Sequence, residues 1–169
     1  MTVLFDGEIS VHYGYFSVVP AGEFVEDLIA ARRDQRNGLL GAQEPHRLGG
    51  ITGLHTGEVA FRVEWTETEP PIDTEWEDVV EASIDLRDGD YALDSFDDSH
   101  PLNFPRSGWH RARYNLHAMD AGHDMDTPDD DQSAPDSYLL QLWPAPPTTD
   151  AILRQTSENA AYWHSVPAR

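Results

Sequence analysis

The sequence predicts a mainly β chain, a two-layer antiparallel β-sandwich with one or two short helices. Apolar and polar residues alternate with a period of two in several segments, the mark of half-buried strands. Turn chemistry separates those segments, and the 169 residues include 12 Gly and 12 Pro. Helical spacing is rare, and many strands with few helices argue for a sandwich or jelly roll.

The first predicted strand places Ile9, Val11, Tyr13 and Tyr15 on one face, with Phe16 and Val18 on the other. Val59, Phe61, Val63 and Trp65 alternate with Ala60, Arg62, Glu64 and Thr66. Such a strand has one buried and one wet face. Val80, Ala82, Ile84 and Leu86 repeat the pattern against Val79, Glu81, Ser83 and Asp85, and Ala112, Tyr114, Leu116 and Ala118 repeat it against Arg111, Arg113, Asn115 and His117. Residues 138–143 are apolar at nearly every position and predict a central strand buried on both sides. Weaker strands are expected at 39–42, 48–54 and 91–96. His55-Thr56-Gly57 has the length of a hairpin loop, Arg87-Asp88-Gly89-Asp90 is a second turn, and Pro105 to Gly108 precedes the strand that starts near Trp109. Gly49, Gly50 and Gly53 suit a bulge or a tight strand contact.

Two helices are predicted. Residues 23–36 place Phe24, Leu28 and Ile29 at helical spacing, with Gly38 as a stop. Thr149-Asp150 could cap a second helix running towards Trp163, with Ile152 and Leu153 on its packing face. The Pro-rich link at 144–147 divides a sandwich domain, 1–147, from a helical tail, 148–169, packed on it. Residues 120–136 read as an acidic loop with almost nothing to bury.

Charge is the strongest compositional feature. There are 31 acidic against 11 basic residues, a formal net charge of -20, and every basic residue is Arg. A surface this negative repels nucleic acid and anionic membrane and steers towards basic proteins. No apolar run approaches the ~20 residues that span a bilayer. Met1 to Phe5 lack the basic and apolar regions of a secretory signal, and a cytoplasmic location is the default expectation. The absence of Cys removes disulfides and thiolate chemistry.

Catalytic motifs are missing. There is no Gly-x-Ser-x-Gly elbow, and without Lys there is no phosphate loop of the Gly-Lys type. No cofactor is indicated. A metal-dependent (Ca or Zn) carbohydrate-binding or hydrolytic sandwich remains the alternative, because His117, Asp120, His123, Asp124 and Asp126 lie close in sequence. Asp124-x-Asp126 lacks the Gly and distal Glu of an EF-hand loop, however, and a solvated acidic loop explains the same residues.

The charge distribution favours partner binding. Acidic residues cluster at 67–77, 94–98 and 120–136. Gathered at one end of a sandwich, such loops would make a negative surface able to occupy the phosphate groove of a nuclease. The expected binding set is Asp124, Asp126, Asp129, Asp130, Asp131, Asp97 and Asp98, with Trp76, Phe96 and Tyr91 as aromatic anchors.

Two resemblances bear on this. Ser107 to Tyr114, Asp120-Ala121-Gly122-His123 and Asp136 to Pro147 resemble a group of uncharacterised actinobacterial proteins, with likeness extending to Arg154 to Glu158. Ile9 to Val18 is similar to the opening strand of the competence protein J family, inhibitors of a DNA-entry nuclease. The segment at Asn37-Gly38-Leu39, the strand from Val59 and the run from Val79 follow in similar order. That likeness implies a small β-sandwich that blocks a nuclease by direct binding. The long acidic loop and the Pro-rich tail depart from it.

Overall fold

The alternating segments sort their apolar faces into one core between two sheets. A computed structural model of the chain describes every residue except 26, 28, 29, 42, 43 and 167–169, and every remaining side chain except that of residue 31. The elements run β1 (Thr2–His12), β2 (Tyr15–Pro20), a 3-10 turn (Ala30–Arg32), β3 (Leu40–Gly41), β4 (Leu48–Ile51), β5 (Thr56–Trp65), β6 (Asp78–Leu86) and β7 (Tyr91–Asp94). They continue with β8 (Ser99–Leu102), β9 (Gly108–His117), α1 (Met119–Met125), β10 (Ser137–Pro144), β11 (Ala151–Arg154) and α2 (Glu158–Ser165). A six-stranded sheet has the order β1-β5-β10-β9-β6-β11, and a five-stranded sheet the order β3-β4-β2-β7-β8. This is the predicted mainly-β sandwich. One pairing departs from the antiparallel rule, since β10 runs parallel to β5, with Tyr138 beside Phe61.

The core faces are the predicted ones. Val59, Phe61, Val63 and Trp65 from β5, Val80, Ala82, Ile84 and Leu86 from β6, and Ala112, Tyr114 and Leu116 from β9 are all buried. The ring of Phe16 joins the sheets, 4.7 Å from Phe61 and 5.2 Å from Tyr114. Gly50, paired with Phe16 across β2 and β4, makes room for that ring, because a Cβ there would lie 2.2 Å from it. Gly50 therefore serves the tight strand contact that the sequence suggested.

Several expectations are corrected. The segment from Ile9 to Val18 is two strands in different sheets, because Tyr13 and Gly14 both have left-handed backbones, with φ of 59° and 60°. The strand ending at His12 begins at Thr2, where mostly exposed edge residues hide the apolar alternation. His55-Thr56-Gly57 closes no hairpin, since β4 and β5 lie in different sheets. The polar face of β9 is not wet: Arg111, Arg113 and Asn115 are at most 5% exposed. Glu81 accepts from the Nε of both arginines at 2.9 Å, while the backbone oxygens of Pro70, Thr148 and Thr149 take other guanidinium protons. Paired and hydrogen-bonded in this way, the buried charges are tolerated.

The helix predicted over 23–36 is replaced, among the described residues, by the short turn at Ala30–Arg32; Leu28 and Ile29 lie outside the described residues. Phe24 is 63% exposed and drives no packing. The second helix starts at Glu158 instead of Thr149. Ile152 and Leu153 belong to β11, paired with β6, and are largely exposed. Ser157 is the true N-cap, its Oγ accepting from the Ala160 N–H at 3.0 Å. The Asp150 carboxylate instead receives the N–H groups of Arg36 and Asn37. The acidic segment is not all loop, since its first part forms α1, with Met119 fully buried.

Candidate partner-binding surface

One end of the sandwich gathers the β1–β2 turn, the β4–β5 connection, the β7–β8 loop, α1 and the start of α2. Its construction begins with short-range backbone demands. Gly14 N–H donates to His55 O at 2.9 Å and Thr52 N–H to Gly14 O at 2.8 Å, tying the β1–β2 turn to the β4–β5 connection. A Cβ on Gly14 would lie 2.9 Å from Leu54 O, so both contact and φ require glycine. Tyr13 pays for its place beside it with a left-handed backbone, a strain of about 1–3 kcal/mol for a non-glycine residue. Its ring is 70% exposed.

Helix α1 is locked beneath. Asp136, 1% exposed, accepts from the Leu54 N–H at 3.0 Å and from the Tyr138 hydroxyl, and that hydroxyl accepts from the Gly53 N–H at 2.7 Å. Burial, first of all, pushes the Tyr138 and Tyr114 hydroxyls well above the usual tyrosine range, so both stay protonated donors. Gly122 in α1 packs directly on the Asp136 carboxylate, where a Cβ would come within 2.4 Å. The carbonyl of Asp126, at the end of α1, accepts from the His55 and Thr56 N–H groups. The Asp120 carboxylate receives the N–H groups of Glu158 and Asn159 at 2.9 and 2.8 Å, which joins α1 to the start of α2. A carboxylate at that helix start is also favoured by the helix dipole.

Between these elements lies a cavity of about 620 Å³. Asp120, Asp124, Asp126 and Glu158 line it, with no Arg among its described lining residues. Tyr13, Tyr162 and Trp163 supply aromatic walls, and His55 and His123 complete the rim. A second depression of about 460 Å³ holds Asp94, Asp97 and Asp98 beside Phe96. A row of rings divides the two. His12 sits 4.8 Å from Phe96 and 4.4 Å from Tyr13, and Tyr13 sits 4.9 Å from His55. The Thr56 hydroxyl bridges the Nδ1 atoms of His12 and His55, at 3.0 and 2.7 Å, and so fixes the row.

The expected binding residues are distributed over this end. Asp124 and Asp126 line the larger cavity and Asp97 and Asp98 the smaller. Asp98 is also structural, accepting from the Ser10 N–H at 2.7 Å. Asp129, Asp130 and Asp131 are exposed on the segment after α1 and line neither cavity. Of the expected anchors, Phe96 is 58% exposed, whereas Tyr91 is core, with its hydroxyl donating to His46 O. Trp76 lies in a separate depression with Asp73, Glu75 and His117. His117 is thus parted from His123, and among the described residues no three His, Asp or Glu side chains come together as metal ligands. Sequence reasoning overlooked Tyr13, Tyr162 and Glu158 as surface groups. An aromatic residue directly before Gly14 was the one available signal for the exposed turn.

The fold is similar to that of ComJ. The crystal structure of ComJ, inhibitor of the DNA degrading activity of NucA, from Bacillus subtilis, superposes with a TM-score of 0.52 at 14% identity. The match covers 85% of this chain and 98% of ComJ. At that identity the likeness to ComJ extends to the fold alone. A structure titled crocagin biosynthetic gene J aligns with a TM-score of 0.49 at 14% identity, over 86% of this chain and all of the other. No protein-family model matches the chain, and no curated protein matches it. Among the described residues no helix is long and apolar enough to cross a membrane.

Proposed function

We propose that the protein is a non-enzymatic inhibitor or immunity protein that binds a basic protein, a nuclease or toxin, through the acidic end of its sandwich. The observation that carries this reading is the row of rings, with Tyr13 and Phe96 exposed, set between two groups of carboxylates. Aromatic anchors ringed by complementary charge are the usual composition of a binding hot spot. Residual strain at Tyr13 supports it, since a backbone held in an unfavourable region to display an exposed ring is found where function demands it. The fold shared with ComJ, a nuclease inhibitor, favours a nuclease as the partner class. The expected set Asp124, Asp126, Asp129, Asp130 and Asp131, with Asp97 and Asp98, supplies long-range attraction and hence a fast on-rate.

The test uses the intact protein and a variant with Asp124, Asp126, Asp129, Asp130 and Asp131 all changed to Asn, each immobilised against host lysate at low salt. The parent protein is expected to retain a basic protein that elutes with salt. The DNA-degrading or toxic activity of that protein should then fall on stoichiometric addition of the parent and much less on addition of the variant. A retained protein whose activity is unaffected, or equal retention by both forms, would sink the reading.

A further inference from the structure

We propose that the larger cavity is a guanidinium site, and that in the complex it receives one arginine side chain of the partner; the second half of this statement rests on the inhibitor reading above. Four carboxylates line the cavity, and they are not equivalent. Asp120 is committed to the start of α2 through its two N–H contacts. Asp124 and Glu158 are exposed, and among the described residues their carboxylates have no hydrogen-bond or ion-pair partner. Two uncompensated carboxylates at the mouth of one cavity favour a cation.

A second observation, independent of the acidic residues, points the same way. Asn159 lines the cavity and is only 8% exposed, yet its Oδ1 has no hydrogen-bond partner among the described residues. A buried acceptor left unsatisfied is uncommon in folded proteins and calls for a donor. The residue is otherwise well placed, its own N–H held by Asp120. Asn159 therefore brings to the cavity lining an acceptor that no donor of the described residues serves.

The walls distinguish which cation fits. Tyr13, Tyr162 and Trp163 are the aromatic residues of the cavity's lining. A guanidinium is planar, weakly hydrated and carries five N–H donors in a fixed fork, so it can stack on a ring and serve carboxylate and amide oxygens together. A lysine ammonium is a compact, strongly hydrated charge with no flat face, and gains less from the same walls. The cavity, at about 620 Å³, has ample room for one side chain of this size. Within the chain itself, Arg113 shows the same chemistry, its guanidinium 4.9 Å from the Trp143 ring centre while bound to Glu81 and Glu69.

The experiment titrates the full chain with N-acetyl-arginine amide and, separately, N-acetyl-lysine amide at low ionic strength, up to roughly millimolar concentrations. Amide and aromatic NMR signals report where each binds. The arginine probe should shift the Asn159 side-chain amide and the rings of Tyr13 and Tyr162, and bind roughly threefold more tightly than the lysine probe. The double variant Asp124→Asn, Glu158→Gln should bind it roughly tenfold more weakly. Neither side chain carries a contact of the fold, and the variant's own spectrum verifies that the fold is kept. Shifts spread evenly over the acidic surface, equal response to both probes, or unchanged binding by the double variant would each overturn the guanidinium site. Capture of the partner separates the two readings. If the double variant keeps the partner as well as the parent does, the arginine contact fails while the inhibitor reading stands. If the probe binds as expected but no inhibited partner is found, the inhibitor reading fails and the guanidinium site remains.

Discussion

Replacing Glu81 by Gln should destabilise the protein by about 3 kcal/mol, a value that follows from the outer face of the six-stranded sheet. Glu81 is 8% exposed, Arg111 5% and Arg113 fully buried. The Glu81 carboxylate takes the Nε–H of both guanidiniums at 2.9 Å and is their common counter-charge. Gln keeps the volume but removes the charge, and its amide can serve only one of them as acceptor. Hydrogen bonds to charged groups contribute about 1.5–3 kcal/mol each, and removing one member of a buried ion pair costs about 3–5 kcal/mol. The lower end applies, because both arginines keep carbonyl partners and Arg113 keeps its 2.7 Å contact to the exposed carboxylate of Glu69. In a chain of this length 1 kcal/mol moves the melting temperature by roughly 2–4 °C, which predicts a fall of about 6–12 °C. Calorimetry of parent and variant measures it directly. The triple variant with Arg111→Met and Arg113→Met added should recover much of the loss, since this cluster then holds no unpaired buried charge. A Glu81→Gln melting temperature within about 2 °C of the parent would refute the reasoning.

Other perturbations have equally definite outcomes. Gly122→Ala forces a Cβ against the Asp136 carboxylate and should cost about 1–3 kcal/mol in urea denaturation; an unchanged midpoint would mean that α1 is not clamped there. Burial lowers the pKa of His110, whose Nε2 accepts from the Trp65 indole N–H at 3.1 Å, and likewise lowers that of His164, whose Nδ1 accepts from the Gly38 N–H at 3.0 Å. Below the ordinary imidazole value of about 6.5 the unfolded chain therefore binds more protons than the folded one, so stability is complete above that pH and declines as pH falls through it. The decline should reach at most about 1.4 kcal/mol per pH unit for each ring; a flat urea midpoint between about pH 7.5 and 5.5 would contradict it, and His110→Gln should make the slope shallower. Tyr13→Gly relieves the left-handed strain and should leave stability within about 1 kcal/mol of the parent while weakening partner binding, seen as a faster dissociation rate.

The β architecture was legible because alternation survives wherever a strand faces one core, as in Val59 to Trp65 and Val80 to Leu86. It failed at the edges of that logic. Residues 2–8 open an edge strand in which three apolar residues, Val3 to Phe5, stand together and Asp6 to Glu8 meet water, so no period of two marks them. Thr149 to Leu153 imitated a capped helix because Ile152 and Leu153 are apolar, yet their partner is the backbone of β6 and both stay largely exposed. The acidic surface was legible as charge and not as shape. Asp124 and Asp126 were visible in a run of aspartates, but their meeting with Glu158 depends on Asp120 holding α2 against α1, a contact between distant parts of the chain. Tyr13 looked like one more strand residue because a left-handed backbone leaves no trace in hydropathy.

The parallel pairing of β5 with β10 ties assembly to the direction of synthesis. As the chain leaves the ribosome, β5 finds β1 already made, but the other edge of β5 stays open until residues 137–144 emerge. Until then the nascent chain exposes an unpaired strand edge next to Phe61 and Val63, the kind of edge that recruits strands from other molecules. The nascent chain thus carries a half-built sheet through the synthesis of β6 to β9, with that edge open until β10 closes it.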